Sequence, residues 1–410
     1  MNKLRVLYKG WGECWTLGTL AAGDVSLMFE YSPEALARKL ELSPFRMPLR
    51  EQAFSRGESF FGGLPGFIAD ALPDGWGLLL MDRAFRKAGH EPSRLSALDR
   101  LAFVGERAIG ALSFEPATQH ELSAHEVALL DLARQIDRLS AGASAAVLNE
   151  LILVGGSPQG ARPKALVHYE RDSGRMSAGG SDGTPGEPWL IKFPARGEHA
   201  EACAVEELYA VLARACGIEM PESAYFPLKQ RLAAFGVRRF DREGGMRVPV
   251  LTLAGALHSD YRVPAIDAID FLRLTKFMTR DMREVHAAFE RCVFNLVFHN
   301  RDDHGKNFSY RLGRDQRWRI SPAYDLTFNR GPRAHHQMAY AGETLAPTLQ
   351  DLLRVAEQGE ISAAAARQSI GRMLSVAASL PRLAGALPVR KATLRAIAKA
   401  VDANRTRLKP

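Results

Sequence analysis

The chain has 410 residues, 46% hydrophobic and 24% charged, which excludes a disordered chain and allows one large core or two to three ordinary ones. Its formal net charge of +8 suits contact with a nucleotide, nucleic acid or acidic protein, and equally a merely solvated basic surface. Four scattered cysteines without a CxxC pair (Cys14, Cys203, Cys216, Cys292) argue against a zinc or disulfide framework and fit a reducing, cytoplasmic setting, and no apolar run reaches the about 18 residues of a membrane span.

The opening MNKLRVLYKGWGECW has charges but no signal-peptide-like apolar run. Short apolar runs at Leu4–Tyr8 and Ser26–Tyr31, broken by Gly-rich turns, predict a small twisted sheet. Helical patterns follow at Gly77–Lys87 and Glu126–Leu139. Leu151–Val154 then leads into a glycine-rich loop, GGSPQGARPK, residues 155–164. Strands are predicted at Ala165–Glu170 and Trp189–Phe193, separated by SAGGSDGTPGEP, which is too polar and Gly/Pro-rich for regular structure. A helix over Ala200–Ala215 stops at Gly217. The strand Ala233–Phe240 precedes a polar turn, Asp241–Gly245. Beyond it the pattern is helical at Ile266–Thr279, Met282–Phe298, Leu349–Gln358, Ala363–Ala378 and Lys391–Leu408. This is an α+β, two-lobed arrangement, with a cleft expected between lobes joined near residue 242. The expected divisions are residues 1–120, a β-rich N-terminal subdomain; 121–242, an N-lobe with the glycine-rich loop; and 243–410, a helical C-lobe.

The densest chemistry lies in HNRDDHGKNFSYRLGRDQRWRISPAYDL, residues 299–326. An apolar helix ends in a polar loop carrying Asp302 and Asn307; a predicted hairpin, Phe308–Leu312 and Trp318–Ser321, then returns the chain to Asp325. Phosphoryl transfer needs one Asp beside the attacking hydroxyl and a further Asp and Asn to hold magnesium against nucleotide phosphates. An Asp-Asp pair alone is also the material of a turn or helix cap; the joint pattern is more specific. Upstream, backbone N–H groups of Gly155, Gly156 and Gly160 can approach phosphates closely. Lys192, on an apolar strand, needs a carboxylate or phosphate if buried, and a solvated tip if the strand lies at an edge. Glu206, on a small and apolar helix face, is the favoured carboxylate, whereas Glu207 shares its side with Arg214 and reads as solvated.

With these residues assembled, the sequence resembles the HipA family of toxin kinases from bacterial type II toxin–antitoxin systems, most strongly at GGSPQGARPKAL, RRFDR and NRDDHGKNFS…SPAYDL. The resemblance implies a kinase-like fold and an ATP- and Mg2+-dependent serine/threonine protein kinase. By motif, Asp302 corresponds to the catalytic base, Asn307 and Asp325 to the magnesium ligands, and Lys192 to the ATP-phosphate lysine. Ser157, in the loop ending at Lys164, corresponds to an autophosphorylated serine, and Phe240 to the adenine-facing hinge. His304 and Lys306 are expected to support the loop or phosphate. The family implies a protein substrate such as an aminoacyl-tRNA synthetase, a DNA-binding antitoxin of the HipB type, and operator DNA reached through that complex, with no membrane association. Two rival readings use the same residues. In a metal-dependent phosphohydrolase, His299, Asp302, Asp303, His304, Asp325, His335 and His336 would be ligands. A small-molecule or lipid-type kinase would keep the donor chemistry and change the acceptor.

Overall fold

Leu4 and Val6 are buried and Lys3 and Arg5 exposed along β1 (Lys3–Tyr8), the two-residue period of a strand with one covered face. The computed structural model containing this strand describes all residues except 24–25, 56, 119–124, 141–159, 180–183, 230–231 and 410. It divides into two units, residues 1–203 with 223–251, and residues 204–222 with 252–410.

In the first unit, β2 (Trp15–Ala22), β3 (Leu27–Tyr31) and β4 (Leu112–Glu115) join β1 in an antiparallel sheet of order β3-β2-β1-β4. The helix α1 (Gly75–Lys87) precedes α2 (Ala97–Val104), which a capping box between Ser96 and Asp99 starts. Leu98, Leu101 and Ala102 of α2 are buried, and α2 packs on β1 and β4.

A second antiparallel sheet contains β5 (His125–Glu126), β6 (Lys164–Glu170), β7 (Arg175–Ala178), β8 (Glu187–Lys192), β9 (Ser223–Pro227) and β10 (Ala233–Arg238). Its order is β5-β7-β6-β8-β10-β9, so β8 is an interior strand. Two expectations shift here. Ser177 and Ala178 belong to β7, because Met176 and Ala178 are buried as the strand pairs with β6. Glu126 is strand, and the helix expected from it begins at Leu129. At Gly236 a Cβ would lie 2.7 Å from Phe226 and 3.0 Å from Trp189 and Ile191. Its bare Cα lets Trp189 and Phe226 meet edge to face, 6.5 Å between centroids, with Tyr169 against both. The predicted strand Leu151–Val154 falls outside the described residues.

The second unit is mainly helical: most of α3 (Glu201–Ala215), then α4 (Ala268–Thr279), α5 (Met282–Val297), α6 (Leu349–Gln358), α7 (Ala363–Ala378) and α8 (Lys391–Leu408). The predicted helix start at Ile266 is instead the short strand β11 (Ile266–Asp267), after which Asp267 caps α4 in a box with Asp270. A hairpin of β12 (Ser309–Leu312) and β13 (Trp318–Ile320) follows α5, with Tyr310 opposite Ile320. The strand β14 (Met338–Ala339) pairs in parallel with β11. The C-terminal half of α5, Ala288 through Val297, is the least exposed part of the unit apart from Glu290; α4, α7 and α8 pack around α5. Among the described residues no helix is long and apolar enough to cross a membrane.

Candidate active site

Just past the C-cap of α5, Phe298, the left-handed φ of 58° at His299 swings the chain away from the helix axis. Asn300 clamps that exit: its N–H donates to Asn295 O and its amide Nδ2 to Asn295 Oδ1, both at 2.9 Å. A reciprocal bridge follows, Arg301 N–H to Asn329 O and Asn329 N–H to His299 O, each 3.2 Å. It aligns the segment after Asp325 with the segment before Asp302. Tyr324 makes a second tie, its hydroxyl donating to Lys306 O at 2.7 Å.

The two adjacent carboxylates have opposite environments. Asp303 is fully buried and accepts four hydrogen bonds: His336 Nδ1 (2.7 Å) and Tyr340 Oη (2.8 Å) on Oδ2, and the N–H groups of Gln337 (2.7 Å) and Met338 (3.3 Å) on Oδ1. It is a structural hub that fixes residues 336–340 against the loop. Asp302 keeps 39% of its side chain accessible and accepts one side-chain hydrogen bond, from Gln337 Nε2 at 2.7 Å. Gln337 therefore braces both carboxylates, one through its backbone and the other through its amide. Burial raises the Asp302 pKa above its ordinary value; the charge of His304 opposes this, the charges of Asp325 and Asp303 reinforce it, and the Gln337 hydrogen bond opposes it.

Asn307 lies within reach of the same residue, its amide Nδ2 donating to Asp302 O at 2.6 Å. That engages the nitrogen, so the oxygen is the atom Asn307 can offer a cation. Asp325 is half-buried with a left-handed φ of 52°, a conformation Asp tolerates better than most residues, and its charge is felt at Asp302. His304 Nε2 stands 3.8 Å from Asp302 Oδ1, beyond hydrogen-bonding distance, while its Nδ1 accepts from Lys306 N–H at 3.2 Å. The Lys306 ammonium lies 4.2 Å from the centroid of the Tyr261 ring and is buried. Asp302, Asn307 and Asp325 thus share one loop cluster in the second unit, with His304 and Lys306 packed beside them.

The metal-ligand alternative finds most of its histidines engaged otherwise. His299 stacks on Phe328 and meets Asn404, His335 bonds Thr344 Oγ1 at 2.8 Å, and His336 is spent on Asp303. Among the described residues no group of three or more His, Cys, Asp or Glu side chains is arranged to hold a metal ion. Two Asp and one Asn is a different donor set, suited to a hard cation.

In the first unit, Lys192 is buried on the interior strand β8, so the solvated edge-strand reading does not hold. Its register neighbours are Lys164 on β6 and Phe235 on β10, and its ammonium lies 5.6 Å from the Phe235 ring centroid. Lys164 is equally buried. The pairing therefore places two lysine side chains opposite one another on the same face of the sheet. Gly160 is described; Gly155, Gly156 and Ser157 lie outside the described residues. Phe240 is half-buried, but the anchor of its motif is Asp241, which is buried and accepts from Arg239 Nε (2.9 Å) and Nη2 (2.7 Å), Arg242 Nη1 (2.8 Å) and Gly110 N (3.0 Å). Burial would raise the Asp241 pKa, yet the two arginines and the Gly110 hydrogen bond together hold it well below the ordinary carboxylate range. In the second unit Glu206 is buried, as its apolar helix face requires; Glu207 is buried too, bonded to Arg214 at 3.0 Å, contrary to the solvated position expected for it.

Two family models match the chain: the HipA N-terminal domain over residues 6–115 and the HipA-like C-terminal domain over residues 156–380. No curated protein matches it in sequence. Among solved structures, HipA of Shewanella oneidensis MR-1, in a complex with HipB and operator DNA, aligns with a TM-score of 0.75 at 16% identity, covering 99% of this chain and 97% of that one. At this identity the likeness establishes the fold, which is the α+β, kinase-like architecture expected from the sequence. The proinflammatory kinase CtkA of Helicobacter pylori aligns with a TM-score of 0.38 at 11% identity over 55% of this chain and 88% of that one, too distant to carry an argument. With the C-terminal model spanning more than half of its length and the N-terminal model most of the remainder, the chain belongs to the HipA family.

Proposed function

We propose that this chain is an ATP-dependent serine/threonine protein kinase acting as a toxin. The observation that carries the reading is the cluster of Asp302, Asn307 and Asp325. One carboxylate is half-buried, partly accessible yet with its pKa raised chiefly by burial, beside a second carboxylate and an amide oxygen available to a cation. A base held nearer to neutrality than a free carboxylate is better matched to a hydroxyl proton. Asp302 is assigned the role of taking that proton at an Oδ atom, and Gln337 that of orienting the carboxylate.

The site residues fit magnesium: Asp302 and Asp325 raise one another's electrostatic cost, and a divalent cation relieves it. Asn307 and Asp325 would hold the ion, which when bound supplies charge neutralisation to phosphate oxygens. Lys164 and Lys192 are assigned to ATP phosphates, Phe240 to the adenine side, and His304 and Lys306 to support of the catalytic loop. Ser157 is the proposed autophosphorylation site; a phosphate there adds about −1.5 to −2 charges and would compete with ATP for the loop's donors.

The HipB–operator complex of the Shewanella relative supports a HipB-type antitoxin as partner, with operator DNA reached through it. The proposed acceptor is a protein of the translation apparatus, an aminoacyl-tRNA synthetase by family resemblance. The test is incubation with magnesium, labelled ATP and cell extract, read by mass spectrometry. Label should enter Ser157 and an acceptor protein, and Asp302→Asn should reduce transfer about 100- to 10,000-fold with folding intact. No transfer by the wild type, or wild-type turnover in Asp302→Asn, overturns the reading.

A further inference from the structure

Asp74 occupies the N-cap position of α1, with extended backbone at φ −123° and ψ −178°, yet its carboxylate makes no hydrogen bond to its own helix. A capping Asp ordinarily accepts from the second or third helical N–H. Here Oδ1 accepts from the N–H of Gly160 instead, 86 residues away. Two residues on, Trp76 N–H donates to Gly160 O at 3.1 Å, so both polar groups of the Gly160 backbone are held by residues 74–76. The approach of the two backbones is close enough to require glycine at position 75. A Cβ on Gly75 (φ +44°) would lie 2.5 Å from Gly160 O, and one on Gly160 (φ +104°) would lie 2.5 Å from Lys164 Nζ. The ammonium of Lys164 therefore occupies the space that a side chain on the clasped residue would take, and Lys164 pairs in register with Lys192.

We infer that Asp74 is a positioning residue for nucleotide binding: from the N-terminal region it fixes the Gly160 end of the glycine-rich loop, and with it the Lys164 ammonium. This rests on the ATP-binding reading above, but the clasp itself does not. Its logic is preorganisation. A phosphate-binding backbone that must be ordered at the moment of binding loses affinity, whereas one already held in place does not. A helix that gives up its own cap to hold a distant loop is consistent with that use.

The experiment compares wild type, Asp74→Ala and Asp74→Asn, since Asn retains an acceptor oxygen at the same position. Amide hydrogen exchange at Gly160 is read without nucleotide, and ATP affinity is read by calorimetry. Thermal melts identify any variant that fails to fold. Asp74→Ala is expected to speed Gly160 exchange about 10-fold and to weaken ATP binding about 10-fold, with kcat at saturating ATP nearly unchanged. Asp74→Asn should recover most of both. Wild-type exchange in Asp74→Ala overturns the clasp, and faster exchange with unchanged ATP affinity overturns its role in binding. Failure of the wild type to bind ATP overturns the kinase reading and the nucleotide role with it, leaving exchange to judge the clasp alone. If Asp74→Ala does not fold, loss of ATP affinity in a folded Asp74→Asn with wild-type exchange likewise overturns the proposal.

Discussion

Removing the Asp303 carboxylate tests how the loop cluster is held. In Asp303→Ala, His336 Nδ1, Tyr340 Oη and the N–H groups of Gln337 and Met338 all lose their acceptor in a place no solvent reaches. Hydrogen bonds to a charged group contribute about 1.5–3 kcal/mol each. Four of them sharing one anion do not add, and a water admitted to the vacated volume restores part, so the net loss should be about 4–6 kcal/mol. Against a total stability of about 5–15 kcal/mol this is a third or more of what such a unit typically has. Asp303→Asn should be milder, about 2–3 kcal/mol, for a geometric reason. The amide oxygen can take the Oδ1 position, where two backbone N–H groups have no other option. The NH2 then faces His336 and Tyr340, which can change tautomer and rotate to accept. Urea titrations followed by circular dichroism would measure the series. A loss below about 1 kcal/mol in Asp303→Ala, or an Asn variant worse than the Ala variant, would refute the hub assignment.

Three further outcomes are expected. Gln337→Ala removes a hydrogen bond that lowers the Asp302 pKa, so the acid limb of the kcat/KM profile should move to higher pH, with kcat down about 10-fold from lost orientation; an unmoved limb contradicts the brace. Asp325→Ala should weaken ATP binding in the presence of magnesium far more than in its absence, and equal affinities would remove it as a metal ligand. The Asp241 pKa is depressed in the folded protein, so its stabilisation is present above the ordinary carboxylate value and is lost as pH falls toward the folded value. Asp241→Asn should cost about 3 kcal/mol near pH 7 and progressively less below about pH 4; a gap constant with pH in denaturation titrations would contradict this.

Local patterns made the Asp302, Asn307 and Asp325 cluster readable, because Asp302 and Asn307 are five residues apart and a short hairpin returns the chain to Asp325. The long helices of the second unit were legible for the same reason: α5 through α8 carry their apolar period within their own sequence. What was missed depends on distant partners. Nothing near Asp303 signals that His336, Gln337 and Tyr340 will surround it, so its burial was invisible in the Asp-Asp pair. Asp241 was read as part of a polar turn because its acceptor role involves Gly110, 131 residues earlier. Ile266 was read as helix because its strand partner, Met338, lies across the second unit's sequence. The one available hint was the arginine pair flanking Asp241 in RRFDR, more positive charge than a turn needs.

The Asp241 anchor bears on modularity. The two family models leave a gap between residues 115 and 156, which invites the view that this protein is two cassettes joined in series. The hydrogen bond from Gly110 to Asp241, together with Trp11 N–H on Arg247 O at 2.9 Å, stitches the first cassette to a segment deep inside the second. A gene fission in the gap would strand a buried carboxylate and two arginines on one product, and an unpaired edge at residues 10–11 on the other. Recombination that exchanges only the N-terminal cassette between relatives is therefore constrained to donors whose residues at these positions still meet Asp241 and Arg247, so the two segments should be inherited together.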